Sequence, residues 1–387
     1  MREPKKIKIL HCPTMVGGNP QGLSKAEKSM GLDSSSLVLQ KTFYSYAADR
    51  VLFDNNCSFI EREFLRWVEI FCVLKKNDVI HYNFGQSLAP NIIPNIRSDQ
   101  KPWKVWLYNN LYARWVEFLD LKLARLLGKV VTVTYQGDDA RQGDYCKQHY
   151  PVHFCHDVDE TYYSLKTDIE KRRRIKIFDR YANFIYAVNP DLLNVLPERA
   201  RFIPYASVDP RDWSPVPIQS TSEDSLLHIV HAPSHRDVKG TKYVLQAFDR
   251  LQKEGIKFRY TLVEGLSNQD ARKVYETADL LIDQLLAGYY GALAVELMAL
   301  GKPVICYMRD SDLLNMPDDM RQEIPIIKAD PATIYDVLKE IIASRRSELQ
   351  SIGVRGRRYV EKWHDPQKIA EIMRADVMTV FSKRGVK

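Results

Sequence analysis

The segment 288–296 combines small residues and a carboxylate at a spacing that suits a phosphate-containing ligand. It reads Gly-Tyr-Tyr-Gly-Ala-Leu-Ala-Val-Glu and runs from a predicted strand end into a predicted helix. Gly291 and Ala292 would leave the amides at the start of that helix accessible to phosphate oxygens. Glu296 follows about one turn later, where it could reach a ribose diol. A glutamate in so apolar a helix is costly unless it is paired, so we favour a binding role over a structural one.

A second candidate loop, residues 231–241, places Arg236 and Lys239 just before a helix. Two cations and the positive end of a helix dipole together favour a diphosphate ligand. A solvated basic loop accounts for the same two residues equally well.

The loop 14–22, after the first predicted strand, contains Gly17 and Gly18. Glycines let a backbone approach a ligand closely and expose amide groups at a helix start. The loop lacks the Gly-x-Gly-x-x-Gly pattern of dinucleotide sites, and an ordinary tight turn explains it as well as a substrate loop does.

The loop 136–141 reads Gln-Gly-Asp-Asp-Ala-Arg and ends another predicted strand. Gln136, Asp138 and Asp139 could hold sugar hydroxyls through hydrogen bonds. The alternative is a helix start capped by its aspartates. We favour binding because both acids and Arg141 crowd one strand end.

Short β-branched runs that alternate with helical patterns must position these loops. The predicted strands are 6–10, 36–39, 78–82, 130–135, 184–188, 227–231, 259–263, 280–283 and 304–307. The predicted helices are 23–30, 61–74, 112–127, 168–181, 243–251, 271–277, 293–300, 333–343 and 366–381. This alternation predicts an α/β fold with doubly wound parallel sheets, in which ligands bind at the carboxyl ends of strands.

The Pro-rich stretch 204–220 interrupts the alternation and predicts a linker between two α/β domains with a cleft between them. The 387 residues carry a net charge of +7, which permits acidic partners without specifying them. We predict no nucleic-acid binding, because no module that combines basic and aromatic residues is evident. Six scattered cysteines and the lack of a long apolar run predict a soluble, cytoplasmic protein.

Residues 231–241 and 288–296 resemble segments of the retaining GT-B glycosyltransferases of family four. The first is similar to the basic loop that opens the C-terminal domain of that family, and the second is similar to its Glu-x7-Glu segment. The resemblance covers nearly the whole chain. It implies two Rossmann-like domains facing a cleft, an acceptor-side domain at 1–205 and a nucleotide-sugar-binding domain at 206–365. A last helix, 366–387, would cross back to the first domain.

By this resemblance, Arg236 and Lys239 bind the diphosphate of a UDP or GDP sugar, Glu296 binds the ribose, and Gly18 lies beside the donor phosphates. The resemblance implies neither a cofactor nor a metal. No protein nucleophile is established in the family, and the leaving phosphate is thought to help deprotonate the acceptor. Catalysis would then rest on positioning and charge stabilisation.

Two positions depart from the family pattern, both on the sugar side. Gly288 stands where the family glutamate contacts the sugar, and Gln136 stands where a histidine follows the strand. We therefore expect Asp138, Asp139 or Tyr290 to contact the sugar, and Asp138 is also a catalytic candidate.

The predicted reaction is transfer of a sugar to a hydroxyl group of a carbohydrate, lipid-linked or protein acceptor, as in the assembly of cell-surface polysaccharides, glycolipids or glycoproteins. Two alternatives are a nucleotide-sugar-binding protein without turnover and a sugar-nucleotide epimerase of the same fold.

Three other patterns favour local structure. The cluster of Cys and His residues at 146–156 matches no standard zinc spacing. Asp310-Ser311-Asp312 reads as a helix cap or turn rather than a metal motif. The aromatic residues between 103 and 118, flanked by lysines, recur at helical spacing, which suits either a bilayer interface or a core-facing helix. We favour a core face or a dimer contact and leave peripheral contact with the inner membrane as the alternative.

Overall fold

The computed structural model describes residues 7–40, 46–54, 56–93, 100–218 and 225–384; the last two residues of the predicted linker lie outside them. The strands are β1 Lys8–Cys12, β2 Asp33–Val38, β3 Arg50–Val51, β4 Val79–Asn83, β5 Val130–Tyr135, β6 Phe184–Ala187, β7 Arg201–Phe202, β8 His228–His231, β9 Arg259–Leu262, β10 Leu280–Ile282, β11 Val304–Cys306 and β12 Ile327–Lys328. The α-helices are α1 Asn19–Ser29, α2 Phe59–Lys76, α3 Pro102–Leu107, α4 Arg114–Val116, α5 Leu119–Leu126, α6 Gly143–His149, α7 Leu165–Tyr181, α8 Arg236–Lys239, α9 Thr241–Lys253, α10 Asn268–Glu276, α11 Ala292–Ala299, α12 Asp310–Leu313, α13 Asp318–Gln322, α14 Ile334–Ser344, α15 Arg346–Trp363 and α16 Pro366–Lys383.

The chain divides into two compact units. The first comprises Met1–Gln142, Ser164–Ser207 and Pro366–Lys387, and the second comprises Gly143–Tyr163 and Val208–Asp365. The last helix, α16, therefore belongs to the first unit, where it packs against α1.

Within the described residues, the first unit holds a seven-stranded parallel sheet in the order β3-β2-β1-β4-β5-β6-β7. Strands β2 and β3 lie on one side of β1, and the chain then crosses to β4 and the later strands on the other side. The strand order therefore reverses between β1 and β4. Strands β4 and β5 are buried along their whole length, as expected for central strands covered on both faces. In open α/β sheets, ligands bind where the order reverses.

The described part of the second unit holds a five-stranded parallel sheet in the order β12-β11-β10-β8-β9. Its order reverses between β8 and β10, which brings the loops after these two strands side by side. The predicted diphosphate loop follows β8, and the predicted phosphate-binding helix α11 comes after β10. The topology therefore positions both loops at the switch point of this sheet.

Residues 143–163 lie in the second unit, although the predicted boundary assigned them to the first. The reason is an apolar cluster in which Tyr150, Phe154 and Tyr163 pack with Leu286 and Ala287 of the loop after β10. Their aromatic area is buried against this loop, so the segment folds with the second sheet.

The predicted continuous helix 112–127 is wrong in its middle. A π-helical turn, Tyr108–Ala113, precedes α4, and Phe118 adopts φ +57° before α5 begins. Phe118 is fully buried, but Trp103, Trp106 and Trp115 are 59%, 60% and 77% exposed. The favoured core-facing interpretation of this aromatic segment is therefore wrong for its tryptophans.

Candidate functional site

The switch point of the second unit is held together by His231, the last residue of β8. Its Nδ1 donates to the carbonyl of Ile282 (2.8 Å), and its Nε2 accepts from the hydroxyl of Thr241 (2.9 Å). Burial lowers the pKa of His231 to about 4, so the ring is neutral at physiological pH. These two bonds fix the end of β10 and the start of α9 relative to β8.

Lys239 lies at the centre of this switch point. Its Nζ is 2.9 Å from Oδ1 of Asp283, a fully buried carboxylate that directly follows β10. The other oxygen of Asp283, Oδ2, accepts from the amide of Gly291 (2.7 Å), the residue before α11. A Cβ added at Gly291 would lie 3.4 Å from the Nζ of Lys239. Lys239 and Gly291 are both site residues that the sequence predicted, and the structure links them through Asp283. The sequence analysis did not identify Asp283.

Arg236 lies at the start of α8 in a different environment. Its guanidinium is bonded to both oxygens of Glu264, at 2.8 and 2.6 Å, and both side chains are well exposed. The ion pair holds the cation at the surface of the loop after β8.

Glu296 lies on α11, one turn beyond Ala292, the first residue of that helix. Its side chain is partly buried and makes no hydrogen bond or ion pair with any residue that the structure describes. Burial raises its pKa to about 7, which Arg272 partly opposes. A carboxyl group that titrates near neutral pH and has no structural partner is typical of a functional site.

Arg309 fills the space beside Gly288. Gly288 has φ +81°, and an added Cβ would lie 2.6 Å from Nη1 of Arg309. The guanidinium bonds to Asp312 (2.6 Å) and to the carbonyl of Val152 (2.9 Å), and it stacks 3.6 Å from the ring centre of Tyr150. A side chain at position 288 would have to displace this network, so glycine there is a structural requirement of the chain.

Tyr290 does not have the environment that a sugar-binding residue needs. Its side chain is fully buried, and its hydroxyl is 3.0 Å from both the hydroxyl of Tyr359 and the Nε2 of His364. The expectation that Tyr290 contacts the sugar is therefore corrected: the residue anchors the loop before α11 to α15.

In the first unit, the glycine loop after β1 approaches the end of β5. Gly17 and Gly18 have φ of +59° and +68°, and a Cβ at Gly17 would lie 3.5 Å from Oε1 of Gln136. Buried side-chain atoms of Thr14, Asn19 and Gln136 have no hydrogen-bond partner among the described residues. Because buried polar atoms are normally paired, these strand ends are suited to a polar ligand.

Asp138 and Asp139 follow β5 and line one small cavity of about 170 Å³ with Phe84, Lys171 and Arg174. Asp139 accepts from the amides of Gln136 and Gly137, and burial raises its pKa to about 7. It therefore shapes the loop as well as lining the cavity.

Asp138 is about a third exposed and lies 3.7 Å from the guanidinium of Arg141, which in turn bonds to Asp191 at 2.6 Å. Phe84, on the wall of the cavity, adopts φ +57°, a strained conformation that is common at binding sites.

The segment 146–156 is explained by local bonds. The Nδ1 of His153 accepts from the amide of Cys155 (3.0 Å). The rings of His156 and His149 are hydrogen-bonded to the carbonyls of Tyr150 and Tyr145, respectively. Over the described ranges, no three His, Cys, Asp or Glu side chains are grouped to hold a metal ion. Asp312, the second acid of the Asp-x-Asp pattern, bonds to Arg309.

Among the helices in the described part of the chain, none has both the length and the apolar content to cross a bilayer.

No protein-family model matches the sequence, and a comparison with curated protein sequences finds no match. Solved structures are similar over nearly the whole chain. Sucrose-phosphate synthase from Thermosynechococcus elongatus is 15% identical with a TM-score of 0.59 and covers 98% of this chain and 100% of its own. The Anabaena protein HepE, in complex with UDP-glucose, is 11% identical with a TM-score of 0.58 over 96% and 100% of the two chains.

UDP-GlcNAc 2-epimerase from Neisseria meningitidis, bound to UDP-GlcNAc, is 10% identical with a TM-score of 0.51 and covers 97% of this chain and 100% of its own. These likenesses establish the GT-B fold, with two Rossmann-like units. Transferases and epimerases share that fold, so the activity has to be argued from the site itself.

Proposed function

We propose that this protein is a glycosyltransferase that uses a nucleotide diphosphate sugar of the UDP or GDP type. The observation that carries the proposal is the grouping of Lys239, Asp283, the start of α11 and Glu296 at one switch point. A cation and helix amides suit a diphosphate, and a carboxylate one turn further along suits a ribose diol. HepE and the Neisseria epimerase, which share the fold, were solved with UDP-glucose and UDP-GlcNAc, respectively.

Lys239 and Asp283 have distinct roles in this proposal. An ammonium group has three donors, and Asp283 accepts from one of them, so Lys239 keeps two for the diphosphate. Asp283 is a positioning residue, because it also holds the Gly291 amide. The amides of Ala292 and Leu293, which have no intrahelical acceptor, complete the phosphate site.

Arg236 exchanges Glu264 for a donor phosphate oxygen. As the bond from the sugar to the diphosphate breaks, negative charge grows on the leaving diphosphate, and Arg236 and Lys239 offset it. The acceptor hydroxyl attacks the anomeric carbon, and its proton passes to the departing phosphate oxygen. Attack on the same face retains the anomeric configuration, and no protein nucleophile or metal takes part in this scheme.

The first unit supplies the sugar and acceptor contacts in this proposal. Gly17 leaves room beside Gln136, whose amide can bind a sugar hydroxyl, and Gly18 lies against the ring of Tyr46. Asp138 and Asp139 offer acceptor carboxylates to further hydroxyls, and Asp138 remains the catalytic candidate of the pair. The acceptor is a hydroxyl group of a carbohydrate, a lipid-linked sugar or a protein.

A thermal-shift screen of UDP, GDP, ADP and their sugar conjugates tests the donor site. A ligand at a hundredfold excess over its Kd stabilises the folded state by about 2.7 kcal/mol, which raises Tm. We expect a shift with one diphosphate and its sugar conjugate, and a much smaller shift in Glu296→Ala. Glu198→Ala, which removes an exposed glutamate of the first unit, should behave as the wild type does. Equal shifts in wild type and Glu296→Ala would contradict the site assignment.

Product analysis then separates transfer from the other activities of the fold. A transferase releases nucleotide diphosphate in an acceptor-dependent manner, whereas an epimerase converts the donor sugar without an acceptor. Binding without either product would identify a nucleotide-sugar-binding protein and contradict the proposed turnover.

A further inference from the structure

Helix α2 has two apolar faces, although packing in the first unit requires only one. Its core face contains Ile70, Val73 and Leu74. A second stripe consists of four large side chains that are 46–79% exposed: Ile60, Phe64, Val68 and Phe71. These four recur every three or four residues, so they lie along one side of the helix. Globular proteins normally have one apolar stripe on a surface helix, facing the core.

The segment 102–115 extends this exposed apolar surface. Trp103, Trp106, Leu111 and Trp115 are each at least 59% exposed. Phe59, at the start of α2, makes an edge contact with Tyr108, with ring centres 5.9 Å apart. An open groove of about 1220 Å³ runs between α2 and this segment. We call the exposed side chains of α2 and of residues 102–115 the tryptophan face.

The structure holds the tryptophan face in a defined shape. Ser58 and Glu61 form a capping box that fixes the start of α2. The indole of Trp67 donates to the hydroxyl of Tyr112 (2.7 Å), which donates to Glu63 (2.6 Å). Hydrogen bonds therefore fix the floor of the groove while the large apolar side chains at its rim point outward.

Four exposed cations surround the tryptophan face: Lys101, Lys104, Arg114 and Lys166. None of them forms an ion pair with a residue in the described ranges, although cations elsewhere in the chain pair extensively, as Arg50 does with Glu69 and Arg199 with Asp179. Lys101 and Lys104 line the groove itself, and Lys166 lies beside Trp103 and Trp106. The apolar surface is thus bordered by exposed cations that form no ion pair within the described part of the chain.

We propose that the tryptophan face docks on a lipid bilayer that contains anionic headgroups. Tryptophan side chains favour the boundary between acyl chains and headgroups, and lysines beside them attract anionic lipid. A symmetric contact between two copies fits less well, because it would bring both sets of unpaired cations together. The proposal is independent of the nucleotide-binding site and of turnover.

Co-sedimentation of the full chain with lipid vesicles tests the proposal. We expect binding to vesicles of phosphatidylcholine and phosphatidylglycerol, weak binding to phosphatidylcholine alone, and weaker binding as salt increases. Trp106→Glu/Trp115→Glu should lower partitioning by at least about tenfold, since both side chains would otherwise enter the interface. The matched control is Leu314→Glu, a change at a 69% exposed position in the second unit, which should leave binding unchanged.

A second pair of variants separates charge from apolar insertion. Each lysine near an anionic surface contributes about 1 kcal/mol, so Lys101→Gln/Lys104→Gln should lower partitioning by roughly 25-fold. Lys253→Gln/Lys257→Gln removes the same charge from the second unit and should have little effect. Failure of the wild type to bind anionic vesicles would overturn the proposal. A dimer in light scattering that Trp106→Glu/Trp115→Glu dissociates would also overturn it, because the face would then belong to a second copy.

Discussion

The strand ends of the two units both gather polar groups, but buried neutral side-chain atoms without a partner distinguish those of the first unit. At β8 and β10 of the second unit, Lys239 pairs with Asp283, and Asp283 also accepts a hydrogen bond from the Gly291 amide. At β1 and β5 of the first unit, neutral side-chain atoms of Asn19 and Gln136 are buried without partners. A buried charge cannot be left uncompensated, whereas an unpaired amide costs only a few kcal/mol.

This difference matches the two kinds of ligand that the proposed reaction requires. A diphosphate needs charges that are already in place, and an internal carboxylate keeps Lys239 oriented in the absence of a ligand. Sugar hydroxyls need neutral donors and acceptors, and these can stay unpaired in the unliganded protein because each costs only a few kcal/mol. Removing one of the paired charges in the second unit, and one of the unpaired amides in the first, tests this difference.

The largest expected effect comes from Lys239→Ala. The change leaves Asp283 buried without its cation, so we expect a loss of about 3–5 kcal/mol in the free energy of unfolding. Nucleotide diphosphate binding should weaken about 10- to 100-fold, because a charge-assisted hydrogen bond is lost. Chemical denaturation and calorimetric titration measure the two effects.

Two further variants serve as controls for Lys239→Ala. Lys239→Ala/Asp283→Ala removes both charges and should recover most of the stability while still failing to bind the ligand. Arg236→Ala breaks an exposed pair and should leave stability unchanged. A Lys239→Ala variant as stable as the wild type would mean that Asp283 is not held as a buried charge.

The alternation of strands and helices was predictable because central parallel strands, buried on both faces, read as continuous β-branched runs. The 18-residue helix α15 was missed, since Gly353 and Gly356 weaken its helical pattern. These glycines are needed for packing: a Cβ at Gly353 would lie 2.0 Å from the carbonyl oxygen of Gly301, and one at Gly356 would lie 3.2 Å from Met298. Tertiary contact has overridden local propensity there.

The candidate site was predictable in part, because Lys239, Gly291 and Glu296 follow strand ends in sequence. Asp283 and Arg309 were missed because neither belongs to a recognisable motif: Asp283 directly follows β10, and Arg309 lies three residues after β11. The sequence feature that marks Asp283 is an acidic residue directly after a short apolar strand at the switch point. The network of Arg309 with Tyr150 and Asp312 joins distant parts of the sequence, and only the folded chain brings it together.

A smaller effect is expected from Glu296→Gln, measured as the pH dependence of UDP-glucose or GDP-sugar binding. Burial raises the pKa of Glu296 to about 7, so the carboxyl is protonated below that pH and ionised above it. Ribose hydroxyls donate more strongly to the ionised form, so wild-type affinity should rise roughly tenfold as pH increases through 7. Glu296→Gln should show flat, weak binding, and Glu198→Gln should keep the wild-type profile. A pH-dependent Glu296→Gln variant would assign the titration to another group.

The smallest effect is expected from Gln136→Met in the first unit. This substitution keeps the volume of the side chain and removes a buried Nε2 that lacks a partner, so the free energy of unfolding should stay the same or rise by about 1 kcal/mol. If the amide binds a sugar hydroxyl, kcat/KM should fall about fivefold, while the Kd of the free nucleotide diphosphate stays unchanged. Asn183→Met provides the contrast, because its carbonyl oxygen accepts from Arg125 and from the Val131 amide, and its loss should destabilise the fold. Loss of stability in Gln136→Met without loss of activity would show that this amide serves the fold, and the contrast between the two units would then fail.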